Sequence, residues 1–191
     1  MVFNKAFLQY LFRFLLSFCI LYYGTLAVIG LAAPGGYYSP FIHNYLNYVG
    51  WLRFALLSCS KLVLTILGYH IFINGLYTIM LYGGHGVHIV YSCIGYGIMS
   101  FWVAFIFANK GKWQKKIKWI AGGVALIFSI NVVRISLLLI AINKQWSTPF
   151  NINHHTLFNI VAYVAIFILM YFFDRSQRSE PRLNHQLNKD T

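Results

Sequence analysis

Three residues whose types can act together in nucleophilic catalysis, Cys93, Arg134 and His155, each lie near one end of a separate apolar segment. They are 17, 17 and 19 residues from the polar end of the same segment. At about 1.5 Å of rise per residue, each lies roughly 25–29 Å from the membrane face that carries those polar ends. Since the hydrocarbon core is about 30 Å thick, we expect all three near its opposite boundary. A thiol, a guanidinium and an imidazole in one layer have the composition of a cysteine-nucleophile site.

Cys93 is the candidate nucleophile. It lies where strand-like sequence gives way to helix-like sequence, so we expect its thiol at the N-terminal end of a helix. A helix dipole and a nearby cation favour the reactive thiolate at such a position. The alternative is a small residue that packs at a turn.

Arg134 puts a charge inside an apolar segment, which is costly unless the charge is paired or hydrated, so it is a functional candidate. Asn131 lies one turn earlier on the same helical face. Two hydrogen-bonding groups on one stripe favour a site in which the guanidinium stabilises a thiolate or binds an oxyanion. The alternative is an arginine that extends to the outer headgroups.

His154 and His155 precede the last apolar segment, and Asn159 shares a helical face with His155. Histidine is the usual general base or acid near neutral pH, and the alternative is a polar cap at the interface. Four more histidines are expected on the same side: His43, His70, His85 and His88. Their spacing matches no known ligand pattern, so we predict neither a metal nor a cofactor.

The composition is that of an integral membrane protein, because 59% of the 191 residues are hydrophobic and only 9% are charged. The net charge is +12, yet 11 of the 15 basic residues adjoin the ends of apolar segments. These are Lys5, Arg13, Lys110, Lys112, Lys115, Lys116, Lys118, Arg175, Arg178, Arg182 and Lys189. This is the positive-inside pattern, and it argues against a nucleic-acid partner.

The three cysteines, Cys19, Cys59 and Cys93, form no CxxC pair and indicate no disulfide framework. Cys19 lies in an apolar run and is expected to fill space against lipid or core, and Cys59 is expected to pack. A disulfide between Cys59 and Cys93 is the alternative if both face an oxidising compartment.

The predicted fold is an all-α integral membrane protein with about four transmembrane helices. The spans cover residues 8 or 14 to 31, 93–109, 117–142 and 155–173. Residues 1–173 form one domain, and residues 174–191 form a polar cytoplasmic tail that is expected to be disordered. Four spans place both termini and the lysine cluster, residues 110–118, in the cytoplasm.

Residues 39–67 are apolar enough to suggest a fifth span. Ser39 with Pro40 can begin a helix there, and Gly68 can end it. Its polar residues fall within one stripe, namely Asn44, Asn47, Ser58, Lys61 and Thr65. If this helix crossed the membrane, either the N-terminal basic residues or the lysine cluster would lie outside the cytoplasm. We therefore predict a helix that lies in the outer interface or packs against the bundle there.

Residues 69–92 read as a small extracytoplasmic β-hairpin or meander. Asn74-Gly75 is a strong hairpin-turn signal, and the flanking segments are β-branched and aromatic. An open sheet cannot lie in lipid, so this region is expected outside the membrane.

The order of three motifs resembles the exosortase/archaeosortase family. They are Cys93-Ile94-Gly95, then Asn131-Val132-Val133-Arg134-Ile135, then His155 with Asn159. The resemblance covers roughly residues 60–173.

This resemblance implies an integral-membrane cysteine transpeptidase or protease of the cell (inner) membrane, with its active site at the extracytoplasmic face. Its partners would be membrane lipids and exported proteins that end in a short motif, a transmembrane helix and a basic cluster. Cys93 would be the nucleophile, His155 the proton-transfer residue and Arg134 the transition-state stabiliser. Supporting residues would be Gly95, Asn131, Asn159 and His154, the last also a competitor for the histidine role. The alternative is a non-catalytic small transporter or membrane-assembly subunit, although the sequence has no internal repeat.

Overall fold

Five α-helices and a three-stranded sheet make up the described part of the chain. The computed structural model describes residues 5–33, 37–146 and 154–187, and the side chains of residues 92, 154–158 and 178–187 lie outside that description. The helices are α1 (Lys5–Ala32), α2 (Tyr48–Ile66), α3 (Tyr96–Ala108), α4 (Trp113–Asn143) and α5 (His154–Leu187). The strands are β1 (Ile71–Asn74), β2 (Thr78–Leu81) and β3 (Gly86–His88). The predicted class, all-α and membrane-spanning with a small β element, is confirmed.

Four described helices are long and apolar enough to cross a membrane: α1, α2, α4 and Asn159–Gln177 of α5. The predicted number is confirmed, but α2 is among the four and α3 is not. α3 has 13 residues, or about 20 Å of rise, which is shorter than the hydrocarbon core. The predicted span began too early, because Cys93 lies in a separate 3-10 turn that Gly95 divides from α3.

The helix predicted over residues 39–67 is broken at Asn47. A π-helical turn (Ile42–Leu46) precedes Asn47, and α2 begins immediately after it. The Asn47 side chain accepts a hydrogen bond from the Gly50 N–H at 2.9 Å, so it caps α2. The prediction of one continuous helix was wrong because an asparagine side chain offers the backbone donor an alternative partner.

α2 packs beside the half of α4 that ends at Asn143. The Ser60 hydroxyl donates to the carbonyl of Val132 at 3.5 Å, and Leu64 lines a cavity together with Leu139 and Lys144. The predicted polar stripe is largely exposed, as Asn44, Lys61 and Thr65 are. Length and composition would allow α2 to cross a membrane, and its position in the outer interface stays a prediction.

Basic and polar ends of several helices meet at one end of the bundle, which we call the basic end. Lys115 Nζ donates to the carbonyl of Ser176 at 2.6 Å, which joins α4 to α5. A cavity of about 460 Å³ there is lined by residues of α1, the α3–α4 loop and α5, including Arg13, Lys110 and Asp174.

The sheet is an antiparallel meander of order β1-β2-β3. Its first turn contains Gly75 at φ +63°, as the Asn-Gly signal predicted. Asn143 at the end of α4 holds the second turn, because its Oδ1 accepts from the His85 N–H (2.7 Å) and its Nδ2 donates to the His85 carbonyl (3.1 Å). The sheet is therefore fixed to the end of α4 that lies away from the lysine cluster.

Two apolar clusters fill the bundle. One joins α2, the sheet and the second half of α4, with Leu56, Ile79 and Leu139 almost fully buried. The other lies between α3, α4 and α5 around Trp102 and Phe173. Outward faces of α1 and α5 leave large apolar side chains exposed, such as Phe12 and Phe167, as expected of surfaces in lipid.

The first part of the tail, residues 174–187, is described as helix, and the disorder predicted for residues 174–191 stays a prediction. α5 continues without a break from the apolar segment to Leu187. Residues 188–191 lie outside the described part of the chain.

Candidate active site

Cys93 lies in a 3-10 turn (Tyr91–Ile94) between the sheet and α3. Its N–H donates to the carbonyl of Val90 at 2.9 Å. Gly95 then takes φ +79°, a left-handed conformation that glycine adopts without steric cost, and α3 begins at the next residue. The predicted transition from strand to helix at Cys93 therefore contains an intervening turn, which holds the partly buried thiol just before the helix.

Asn131 fixes this turn from α4. Its Nδ2 donates to the carbonyl of Ile94 at 3.0 Å, and its side chain is buried. A Cβ atom at position 95 would overlap the same amide, so Gly95 permits the close approach of α4 as well as the positive φ. Two of the four supporting residues predicted from the sequence, Gly95 and Asn131, thus lie against each other beside the turn that carries Cys93.

Arg134 reaches Cys93 from the same face of α4. Its Nη2 lies 3.9 Å from Cys93 Sγ, and only 7% of its surface is exposed. An arginine that extended to the outer headgroups would be largely exposed to water. The burial of Arg134 therefore disfavours that alternative.

The third predicted residue, His155, begins α5 together with His154. Both side chains lie outside the described part of the structure, so the histidine role stays a prediction. Asn159 is half-buried in the next turn of α5.

Sequence reasoning missed Arg53. It projects from α2, is 4% exposed, and its Cζ lies 4.1 Å from the ring centroid of Tyr77 and 3.9 Å from that of Tyr91. Tyr91 belongs to the same turn as Cys93. The signal was available, because Arg53, like Arg134, is a charge inside an apolar segment.

All three cysteines are free. Cys59 packs against the apolar cluster of α2 and the sheet, as expected, and Cys19 is exposed on α1. The alternative disulfide between Cys59 and Cys93 is not formed. Among the described side chains, no three of His, Cys, Asp or Glu converge in a way that could hold a metal ion.

The chain was compared with models of known protein families. A family model described as transmembrane exosortase covers residues 5–172 of the 191. No match was found among curated proteins or among solved structures.

Proposed function

Because the chain belongs to the transmembrane exosortase family, we propose that it is a multi-pass cysteine transpeptidase or protease that cleaves the C-terminal sorting tails of exported, membrane-tethered proteins. The observation that carries the proposal is the 3.9 Å approach of Arg134 Nη2 to Cys93 Sγ. A nucleophile and a buried cation side by side match what acyl transfer needs, an attacking atom and a charge that stabilises the oxyanion.

In the proposed reaction the Cys93 thiolate attacks a substrate carbonyl carbon. His155 takes the thiol proton and later gives it to the leaving amine, so the C–N bond breaks and a thioester remains. An acceptor amine or hydroxyl, or water, then attacks the thioester carbonyl carbon while its proton passes to His155, and the C–S bond breaks to release Cys93. Arg134 stabilises the negative oxygen of both tetrahedral intermediates.

The described contacts support different roles for the two α4 residues. Arg134 lies at the sulfur atom, so its guanidinium is available to the reacting groups. Asn131 donates to the carbonyl of Ile94, so it acts first as a positioning residue for the nucleophile turn. Gly95 lets the turn and α4 approach each other.

The same proposal places the active site at the extracytoplasmic face and both termini in the cytoplasm. Two observations support it. The positive-inside rule assigns the basic end to the cytoplasm. Asn143 attaches the sheet, which cannot lie in lipid, to the far end of α4, next to the nucleophile turn.

The test is processing of a tail-bearing protein from the same organism, followed by gel mobility and mass spectrometry of its new C-terminus. Cys93→Ala should abolish processing, and Cys93→Ser should nearly do so because a hydroxyl is a much weaker nucleophile. Cys59→Ala is the matched control, a second partly buried cysteine, and should process normally. Normal processing by Cys93→Ala would refute the enzyme and favour the assembly-subunit alternative.

A further inference from the structure

β3 is an edge strand, because the sheet has the order β1-β2-β3 and β3 pairs with β2 alone among the described residues. In an antiparallel pair, successive residues turn their N–H and C=O groups alternately toward the neighbouring strand and away from it. The Ile89 N–H donates to the carbonyl of Tyr77 at 2.8 Å. The odd-numbered residues of this strand therefore face β2, whereas the backbone groups of Gly86 and His88 face away from it.

These outward-facing backbone groups form an open edge. The N–H and C=O groups of Gly86 and His88 on this side have no hydrogen bond to any described residue. His88 and Val90 are exposed, so solvent reaches the edge. β3 contains neither proline nor lysine, the residues that commonly prevent an edge from pairing. An extended peptide can therefore add to this edge through main-chain hydrogen bonds.

The open edge leads to the candidate nucleophile. Val90 is extended (φ −79°, ψ 161°), so its carbonyl follows those of Gly86 and His88 on the outward side. The Cys93 N–H donates to this carbonyl at 2.9 Å. The turn that carries Cys93 thus folds onto the open side of the strand. A peptide paired with His88 meets that turn about two residues further on, or after roughly 7 Å.

The other edge strand, β1, has similar backbone groups but a different continuation. The Tyr82 N–H donates to the carbonyl of His70 at 3.0 Å, and from there the alternation makes Ile73 face away from β2. β1 runs from α2 to the first turn of the sheet and does not continue into the turn of Cys93. The two edges therefore differ in their continuity with the nucleophile, and β1 serves as an internal control.

We propose that the substrate protein binds by adding an extended segment to β3 as a fourth strand, beside the bond that Cys93 attacks. The proposal rests on the proposed cysteine chemistry and adds the way in which the substrate is held. Main-chain hydrogen bonds to Gly86 and His88 hold the segment in register. The substrate residue opposite His88 is recognised by its amide N–H and C=O groups, and its side chain has a secondary role.

The first test compares His88→Pro with His88→Ala in the processing of the complete tail-bearing protein. Both variants lose the imidazole, whose Nδ1 lies 3.0 Å from Thr78 Oγ1, and only proline also removes the outward N–H. An edge strand tolerates proline where the missing N–H faces away from the ladder. We expect His88→Pro to process roughly three- to tenfold more slowly than His88→Ala, the usual effect of one lost hydrogen bond.

Two controls accompany this comparison. Ile73→Pro and Ile73→Ala form the matched pair on β1, and these two should process alike. Iodoacetamide labelling of Cys93, in a chain that carries Cys19→Ala and Cys59→Ala, reports whether the turn is intact. Its rate should be the same in His88→Pro and His88→Ala.

The second test leaves the enzyme unchanged and alters the substrate backbone. The probe is the tail-bearing protein with a synthetic C-terminal part joined by ligation. One backbone amide at a time is N-methylated within six residues of the cleaved bond, apart from the bond itself and its two neighbours. On one side of the bond, slowing should recur at every second residue, because a paired strand turns alternate N–H groups to its neighbour. Methylation opposite His88, combined with His88→Pro, should cost less than the product of the two effects.

Several results would overturn the strand pairing. Equal processing by His88→Pro and His88→Ala would do so, and so would a methylation series that slows every position alike or none. If His88→Pro also slows iodoacetamide and the methylation series is flat, proline acts only on the turn. Conversion of a dimer to a monomer by His88→Pro, measured by light scattering, would assign the edge to a second copy of the chain. Normal processing by Cys93→Ala would instead remove the cysteine chemistry on which the proposal rests.

Discussion

The side-chain amide of Asn131 donates a hydrogen bond to the carbonyl oxygen of Ile94 across 3.0 Å, and so attaches α4 to the residue that follows Cys93. One turn further along α4, Arg134 reaches the sulfur atom of Cys93. The same helical face therefore fixes the backbone of the nucleophile turn and supplies the cation beside its thiol. A change in the spacing between α4 and this turn would disturb both contacts together.

Gly95→Ala should severely reduce processing. The added Cβ overlaps the amide of Asn131, and a non-glycine residue at φ +79° costs a further 1–2 kcal/mol or so. A displacement of about 1 Å at a nucleophile can cost roughly 10²-fold in rate. The measurement is the processing rate, together with the melting temperature of the purified protein.

Two variants separate the overlap from the backbone cost. Gly68→Ala has the same kind of positive φ, +85°, with nothing within 4 Å of the new Cβ, so it should process almost normally. Asn131→Ala should slow processing by itself, because the Ile94 carbonyl loses its partner. The double variant Gly95→Ala/Asn131→Ala should be more active than the product of the single effects predicts, because the overlap is gone. Additive losses would contradict the contact.

Arg134→Lys should lower the processing rate by roughly 10²–10³-fold, the usual cost of losing one oxyanion donor. A lysine keeps the charge but cannot place a planar fork at Cys93. Single-turnover measurements should show the loss in the acylation rate with substrate binding largely kept. Arg13→Lys on the exposed face of α1 is the control and should behave as the parent protein. If the Arg134→Lys variant processes its substrate normally, Arg134 supplies only a positive charge and is not the planar oxyanion donor.

His155→Ala should lose more activity than His154→Ala, by about 10²–10⁴-fold, the usual contribution of a general acid or base. The reason is helical spacing, since His155 shares a face with Asn159 and His154 does not. The pH dependence of the acylation rate should lose its histidine limb in His155→Ala only. A larger loss in His154→Ala would move the role to that residue.

Counting residues from the polar end of each apolar segment predicted that Cys93 and Arg134 lie at about the same depth in the membrane. The count works because the rise per residue is the same in every α-helix. Two antiparallel helices joined by a short loop bring residues at similar distances from the loop to similar levels, although the counts from the observed helix ends differ, with 15 residues from Cys93 to Ala108 and 21 from Trp113 to Arg134. The count does not say which way a side chain points. The 3.9 Å contact also depends on the 3-10 turn and on Gly95, which the sequence indicated only as a change from strand to helix.

Contacts that depend on where the loops and strands lie could not be predicted from the sequence. Asn143 reads as an ordinary polar helix end, yet it holds the second turn of the sheet through the backbone of His85. Arg53 carries a visible signal, but its ring partners, Tyr77 and Tyr91, are brought to it only by the fold of the meander. Local pattern cannot give such pairs, because their members are distant in sequence and no helical period relates them.

The orientation of the bundle can be tested with single cysteines in a chain that lacks the natural three. Leu76→Cys lies in the first turn of the sheet, where the side chain is 71% exposed, and Gln114→Cys lies exposed at the start of α4 beside the lysine cluster. In intact cells or right-side-out vesicles, a membrane-impermeant maleimide should label position 76. It should reach position 114 only after permeabilisation, because the positive-inside rule keeps the lysine cluster in the cytoplasm. External labelling of position 114 would invert the arrangement and place Cys93 on the cytoplasmic side, where an enzyme acting on exported proteins could not meet them.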